Sequence, residues 1–154
     1  MAIGAPPRHT EKIQLATMPN EYFLALALEA VKKLDWYIGY KSESGFLAFT
    51  KSSEDSWNEE IKVLAEGQSI RLISECTGGQ LIDWGKNKKN IDRLLQKIEE
   101  LKSKLCPEVI ATLYEDLKPN LIPAHECVLS FPTPTLYDKV VESFFSPTLR
   151  QIAL

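Results

Sequence analysis

The chain has 154 residues, is 44% hydrophobic and 25% charged, and carries a formal net charge of −3. This is the composition of one globular domain with at most an appendage, long enough to bury a core without disulfide staples. The acidic balance excludes the basic surplus of a dedicated nucleic-acid binder. The three cysteines, Cys76, Cys106 and Cys127, show no C-x-x-C spacing and so give neither a disulfide framework nor a zinc knuckle.

Residues 1–8 (MAIGAPPR) read as a flexible lead-in. Glu11 to Thr17 alternates, with Ile13 and Leu15 on one side, and predicts a short strand. Pro19, Asn20 and Glu21 form a helix-start signal. From Phe23 to Leu34, apolar residues at Phe23, Leu24, Ala27, Ala30, Val31 and Leu34 predict an amphipathic helix. Four strands follow. Trp36–Tyr40 is expected to place Trp36, Ile38 and Tyr40 on one face. Gly45–Thr50 comes after a turn at 42–45. Trp57–Ala65 has Trp57, Ile61, Val63 and Ala65 inward, with Glu59 in the same phase. After a hairpin turn at Glu66-Gly67-Gln68, Ile70 and Leu72 carry the fourth strand toward Cys76.

A second helix is predicted from about Asn87 to Leu105, with the stripe Ile91, Leu94, Leu95, Ile98, Leu101 and Leu105, ended by Pro107. Beyond it, Glu108–Leu117 and Leu136–Phe145 have short helical patterns between recurring prolines. The core is therefore placed at 9–106 and a partly helical, partly irregular appendage at 107–154. The element order is β-α-β-β-β-β-α. Consecutive hairpins make the sheet antiparallel, and two amphipathic helices cover one face: an α+β fold. This order resembles the TATA-box-binding-protein-like fold, a curved sheet packed on two helices. A fold alone brings no function with it.

Four constellations bear on chemistry. SECTGGQLIDWGKNKKN, residues 74–90, has the look of a phosphate loop at a strand-to-helix junction. A G-x-x-x-x-G-K-[ST] loop would need glycine at Gln80 and a hydroxyl at Asn87, so the nucleotide reading fails. In its place Gly78 and Gly79 are expected to turn the chain out of the sheet, with Leu81, Ile82 and Trp84 packed. Lys86, Lys88 and Lys89 then surround a helix N-terminus, where the macrodipole disfavours cations. They are either a solvated basic corner or, with Trp84, a site for an acidic ligand or partner. Cys127 and His125 share one side of an extended segment and could form a thiol nucleophile with its base. Glu59 is either a buried carboxylate with a shifted pKa or a strand-end residue reaching solvent. The strand aromatics Trp36, Tyr40, Phe46, Phe49 and Trp57 belong to the core, or to a binding face where no helix covers them.

Four segments carry a resemblance: residues 34–40 (LDWYIGY), 45–50 (GFLAFT), 56–63 (SWNEEIKV) and 74–90. They are similar to the soluble domain that precedes the membrane region in a group of bacterial rhomboid-family proteins. The resemblance covers about 19–105 and 138–146, and the block from Glu75 to Asn90 is its most specific part. It implies a cytoplasmic, non-catalytic accessory domain beside a membrane protease. The rhomboid serine motif G-x-S-G has no counterpart: Ser44-Gly45 lies in a turn, with Ser42 where glycine is needed. No catalytic residue is carried over, and no metal or cofactor is expected. The first expectation is thus a binding domain with a membrane-protein or membrane-surface partner, located in the cytoplasm or held at a membrane through a further C-terminal region. No apolar h-region or run of ~18 apolar residues is present. The alternatives are a small-molecule or lipid carrier and a thiol-dependent enzyme at Cys127 and His125.

Overall fold

The computed structural model describes residues 7–51, 58–77, 85–129 and the backbone of 150–152. Strand β1 (Arg8–Leu15) leads into helix α1 (Asn20–Lys33), then strands β2 (Tyr37–Lys41), β3 (Gly45–Phe49), β4 (Glu59–Glu66) and β5 (Ser69–Cys76). Helices α2 (Lys86–Lys104) and α3 (Pro107–Leu117) follow, and strand β6 (Arg150–Ile152) comes last. The fold is α+β, as the sequence predicts. The sheet order is β2-β3-β4-β5-β1-β6. The first five strands pair antiparallel, and β6 adds itself parallel to β1.

The predicted periodicities define the core. Ile13 and Leu15 of β1, Ile61 and Val63 of β4, and Ile70 and Leu72 of β5 all point to the helix side and are buried. Against them α1 buries Phe23, Leu24, Ala27, Ala30 and Val31, and α2 buries Ile91, Leu94, Leu95 and Ile98. Leu101 and Leu105 are partly buried at the edge of the same cluster. The β4–β5 hairpin closes through Gly67-Gln68, and Gly67 at φ 61 takes the leading position that such a two-residue turn reserves for glycine.

Four local readings change. Pro107 does not merely end α2. Leu105 and Cys106 are extended, as a residue before proline prefers to be, and Pro107 opens α3 at a position that needs no N–H. α3, which the sequence groups with the C-terminal appendage, packs on α1: Ile110 is buried in the common core and Tyr114 meets Tyr22 edge-on at 6.1 Å. In the lead-in, Pro7 and Arg8 are fixed, since the Pro7 carbonyl accepts from Cys76 N and Asn87 Nδ2 and Arg8 begins β1.

The fourth change is in β2. Ile38 lies opposite Ala48, and Tyr40 lies opposite Leu47, so Gly39 is an extra residue in the ladder. Such a bulge breaks the alternation. Directly opposed residues share a face, so Ile38 stays on the helix side with Ala48 while Tyr40 moves to the helix-free side with Leu47. Trp36 lies before the strand and is buried on the helix side, with the Arg93 guanidinium 5.8 Å from its ring. The expectation that Trp36, Ile38 and Tyr40 share one face is therefore corrected. A Cβ at the bulge would come within 2.8 Å of the Phe49 ring, so a larger residue there would have to push that side chain aside.

Candidate functional site

The end of the sheet where α2 begins concentrates the polar chemistry. Three strands finish there with an inward polar residue: Thr50 just past β3, Glu59 at the start of β4, and Ser74 near the end of β5. Each stands in phase with core residues, namely Phe46 and Ala48, Ile61 and Val63, and Ile70 and Leu72. Facing them, α2 presents Asn87 and Asn90 on the stripe it continues with Ile91 and Leu94. All five polar residues are buried.

Burial on this scale requires partners, and the five supply one another. Thr50 Oγ1 donates to Glu59 Oε2 at 2.7 Å and accepts from Glu59 N at 2.9 Å. Asn90 Nδ2 lies 3.4 Å from both Glu59 Oε2 and Ser74 Oγ. Ser74 Oγ donates to Asn87 Oδ1 at 2.8 Å, and Asn87 Nδ2 donates to the Pro7 carbonyl at 2.9 Å. Glu59 is only 4% exposed. Its second oxygen faces Lys86 Nζ at 3.4 Å. The strand-end reading, in which Glu59 reaches solvent, is corrected: the carboxylate is enclosed and bonded on both oxygens.

This network fixes the first turn of α2. Gly85 precedes the helix at φ 78, ψ 10 and has no side chain with which to cap it. The first turn holds no acidic residue. Instead it carries the three lysines, and the structure separates them. Lys86 turns inward onto Glu59 and is half-buried. Lys88 is exposed and pairs with Asp92 at 2.6 Å, one turn on. Lys89 is exposed on the outer face. Trp84, Gly78, Gly79, Leu81 and Ile82 lie outside the described residues, as does Trp57.

The second polar cluster lies at the opposite end of the sheet. Ser42, in the β2–β3 turn, is buried, and its Oγ accepts from Ser44 N and Gly45 N. That oxygen lies 2.9 Å from the Gly45 carbonyl and 3.2 Å from Cys127 Sγ, with one proton to serve both. Burial pushes the Cys127 thiol up. Hydrogen bonds from Ser42, Ser44, the Leu129 backbone and Tyr40 outweigh that and hold it below the ordinary thiol value. His125 is 80% exposed and sits 3.4 Å from its neighbour Glu126, and it shares no hydrogen bond with Cys127. The structure thus gives Cys127 a hydroxyl partner and not the predicted imidazole. All three cysteines are free.

Among the described residues no group of three His, Cys, Asp or Glu could hold a metal ion. A cavity between α1 and α3, lined by Leu24, Leu28, Tyr114, Leu117 and Leu121, has a volume of about 10 Å³, the room of one water. Among the described residues no helix is long and apolar enough to cross a membrane. A scan against protein-family models and a search of curated proteins find no match.

Thr50, Ser74, Asn87 and Asn90 are the residues that sequence reasoning missed. The signal was present: each is a polar residue in the buried phase of its own element, and all four phases meet at one end of the core.

Proposed function

We propose that the chain is a non-catalytic binding or accessory domain serving a membrane protein of the rhomboid type, and that it meets an acidic partner through the start of α2. The observation that carries this is the division of labour in the first turn of α2. The inner side is anchored by Asn87, Asn90 and the Lys86–Glu59 pair, while Lys88 and Lys89 face outward. The macrodipole disfavours cations at this end, and the pairing of Lys88 with Asp92 offsets that only in part because both groups are exposed. A charged pair held on a rigid helix is a good recognition element for an anionic surface. Trp84, adjacent in sequence, would supply an apolar contact beside them. The resemblance of residues 74–90 to the rhomboid-associated domain falls on this same stretch. The same reading takes the fold to be of the TATA-box-binding-protein-like kind, supported by the element order and by two helices on one face.

The test is flotation with anionic and neutral vesicles, using wild type and a Lys88→Gln/Lys89→Gln variant that leaves Lys86 on Glu59. Wild type should bind the anionic vesicles alone, and less as salt rises and the Debye length falls below ~10 Å. The variant should lose that binding with an unchanged melting profile. Equal binding by the two proteins would reduce the lysines to a solvated corner.

A further inference from the structure

The positive charges along α2 are not alike. Lys86, Lys88, Lys97, Lys102 and Lys104 each stand within 3.8 Å of a carboxylate. Lys89 and Arg93 do not. Both are exposed, and among the described residues neither has an acidic partner.

These two are also neighbours. Residues four apart on a helix lie one above the other, with Cβ atoms about 6 Å apart, and like charges at that spacing repel. At about 100° of turn per residue, Lys89 and Arg93 stand about 40° apart around the axis, whereas Lys88 is about 140° from Arg93. Lys88 and its partner Asp92 therefore occupy a different flank.

Arg93 is held in place from below. Its guanidinium lies 5.8 Å from the centre of the Trp36 ring, and Trp36 is only 7% exposed. A buried indole is a fixed platform. Its face attracts a guanidinium but takes up none of the N–H groups as a hydrogen-bond acceptor in their plane. Those donors are left for another acceptor, and the arginine is ordered before one arrives, so less freedom is lost on binding. The Trp36 contact accounts for Arg93 and leaves its repelling neighbour Lys89 without a reason.

A single ligand with two negative charges supplies that reason. A guanidinium fork takes two oxygens of one anion, and an ammonium beside it adds a point charge. A phosphate monoester offers three terminal oxygens and close to two negative charges at neutral pH. A phosphate diester or a carboxylate offers two oxygens and one charge.

We propose that Lys89 and Arg93 form a site for a phosphate monoester, carried by a lipid headgroup. This site rests on the membrane-surface reading of the start of α2. It adds Arg93 to that surface and leaves Lys88 as background charge. A membrane presents many copies of the headgroup, which offsets the small number of contacts that one phosphate makes.

Flotation of the full chain with two kinds of vesicle tests this, one carrying phosphatidic acid and one phosphatidylglycerol, matched for surface charge. Wild type should bind the phosphatidic acid vesicles several-fold more tightly. Lys89→Gln and Arg93→Gln should each abolish the preference. Arg93→Lys, which keeps the charge and loses the fork, should lose most of it, and Lys88→Gln should keep it. Equal binding of wild type to the two lipids would overturn the site, and that measurement needs no variant. So would a preference that survives in Arg93→Gln. If equal binding is still lost in Lys88→Gln/Lys89→Gln, the anionic surface stands and only the phosphate site falls; binding to neither lipid removes both. Release of the protein by soluble glycerol phosphate at the headgroup concentration would overturn the lipid source.

Discussion

Glu59 shows how one residue can be essential to architecture while looking like a catalyst. A buried carboxylate next to a lysine is a common signature of chemistry. Here both oxygens are bonded, to Thr50, Asn90 and Lys86, and those bonds join β3, β4 and α2. Glu59→Gln keeps the shape and removes the charge, and its amide nitrogen can accept neither from Lys86 on one side nor from Thr50 and Asn90 on the other, so one side of the network loses its acceptor. It should cost about 1–3 kcal/mol in urea unfolding, the range for an orphaned buried polar group. Lys86→Gln should cost less, because Lys86 is half in solvent and screened. Lys88→Gln should stay within about 0.5 kcal/mol. A neutral Glu59→Gln would mean that the network does not hold the helix start. A second carboxylate gives a pH signature. Glu100 is held down to about 2, from an ordinary 4.5, first by its hydrogen bond to Lys104 and then by that to Lys97. A depressed folded-state pKa contributes stability above the unfolded value, and that contribution is lost as pH falls from about 4.5 toward 2. Carboxyl NMR should show the low titration, and Lys97→Gln/Lys104→Gln should return it toward the ordinary value. A wild-type Glu100 titrating at the ordinary value would remove the pair.

The helices and strands were legible in the sequence wherever one period persisted over two turns or four residues. Phe23 to Val31 and Ile91 to Ile98 bury the stripes that their spacing requires. From this follows a prediction for α2: Leu94→Ala or Ile98→Ala should cost about 2–5 kcal/mol, because each is wholly buried against the sheet. Less than half a kcal/mol at both, by denaturant titration, would mean an undocked helix. Legibility failed where a single residue changes the phase. Nothing in the alternation of Trp36 to Tyr40 announces that Gly39 is extra; the bulge shows only in the register of β2 on β3, a tertiary fact. Pro107 reads equally well as the end of one helix and the start of the next, and only the packing of Ile110 on α1 decides. The polar network was half legible. Glu59 stood out in its strand, but its partners come from three other elements, and no local pattern links Thr50 to Asn90. Gly85 is a further test of the α2 start. At φ 78 an added Cβ meets nothing yet strains the backbone, so Gly85→Ala should cost about 1–2 kcal/mol. Gly85→Asn should cost less, since asparagine tolerates this region better. Equal melting of all three proteins would show that the turn relaxes.

At the scale of the whole molecule, the question is whether α3 belongs to the same cooperative unit as the sheet and the first two helices. It shares their core through Ile110, and Tyr114 contacts Tyr22 of α1. Beyond that it is only partly buried, at Leu117 on the same core, while Val109 is 42% exposed; Ile110 is its single buried residue, against four buried apolar residues in α2. Fully burying one isoleucine contributes about 1.5–3 kcal/mol, and an 11-residue helix is marginal in isolation. The attachment is therefore enough to dock α3 but not enough to tie its opening to global unfolding. Proteins open in contiguous units whose free energies follow buried apolar contact. Native-state hydrogen exchange should find the amides of 111–117 opening at a distinctly lower free energy than those of 91–98. Ile110→Ala should lower the first set and leave the second nearly unchanged. The 118–129 segment should open with α3, because beyond the partly buried Leu121 it is held to the β2–β3 hairpin by polar contacts, from Ile122, Ala124, Cys127 and Val128. Matching free energies for α3 and α2, falling together in Ile110→Ala, would instead make residues 8–117 a single folding unit.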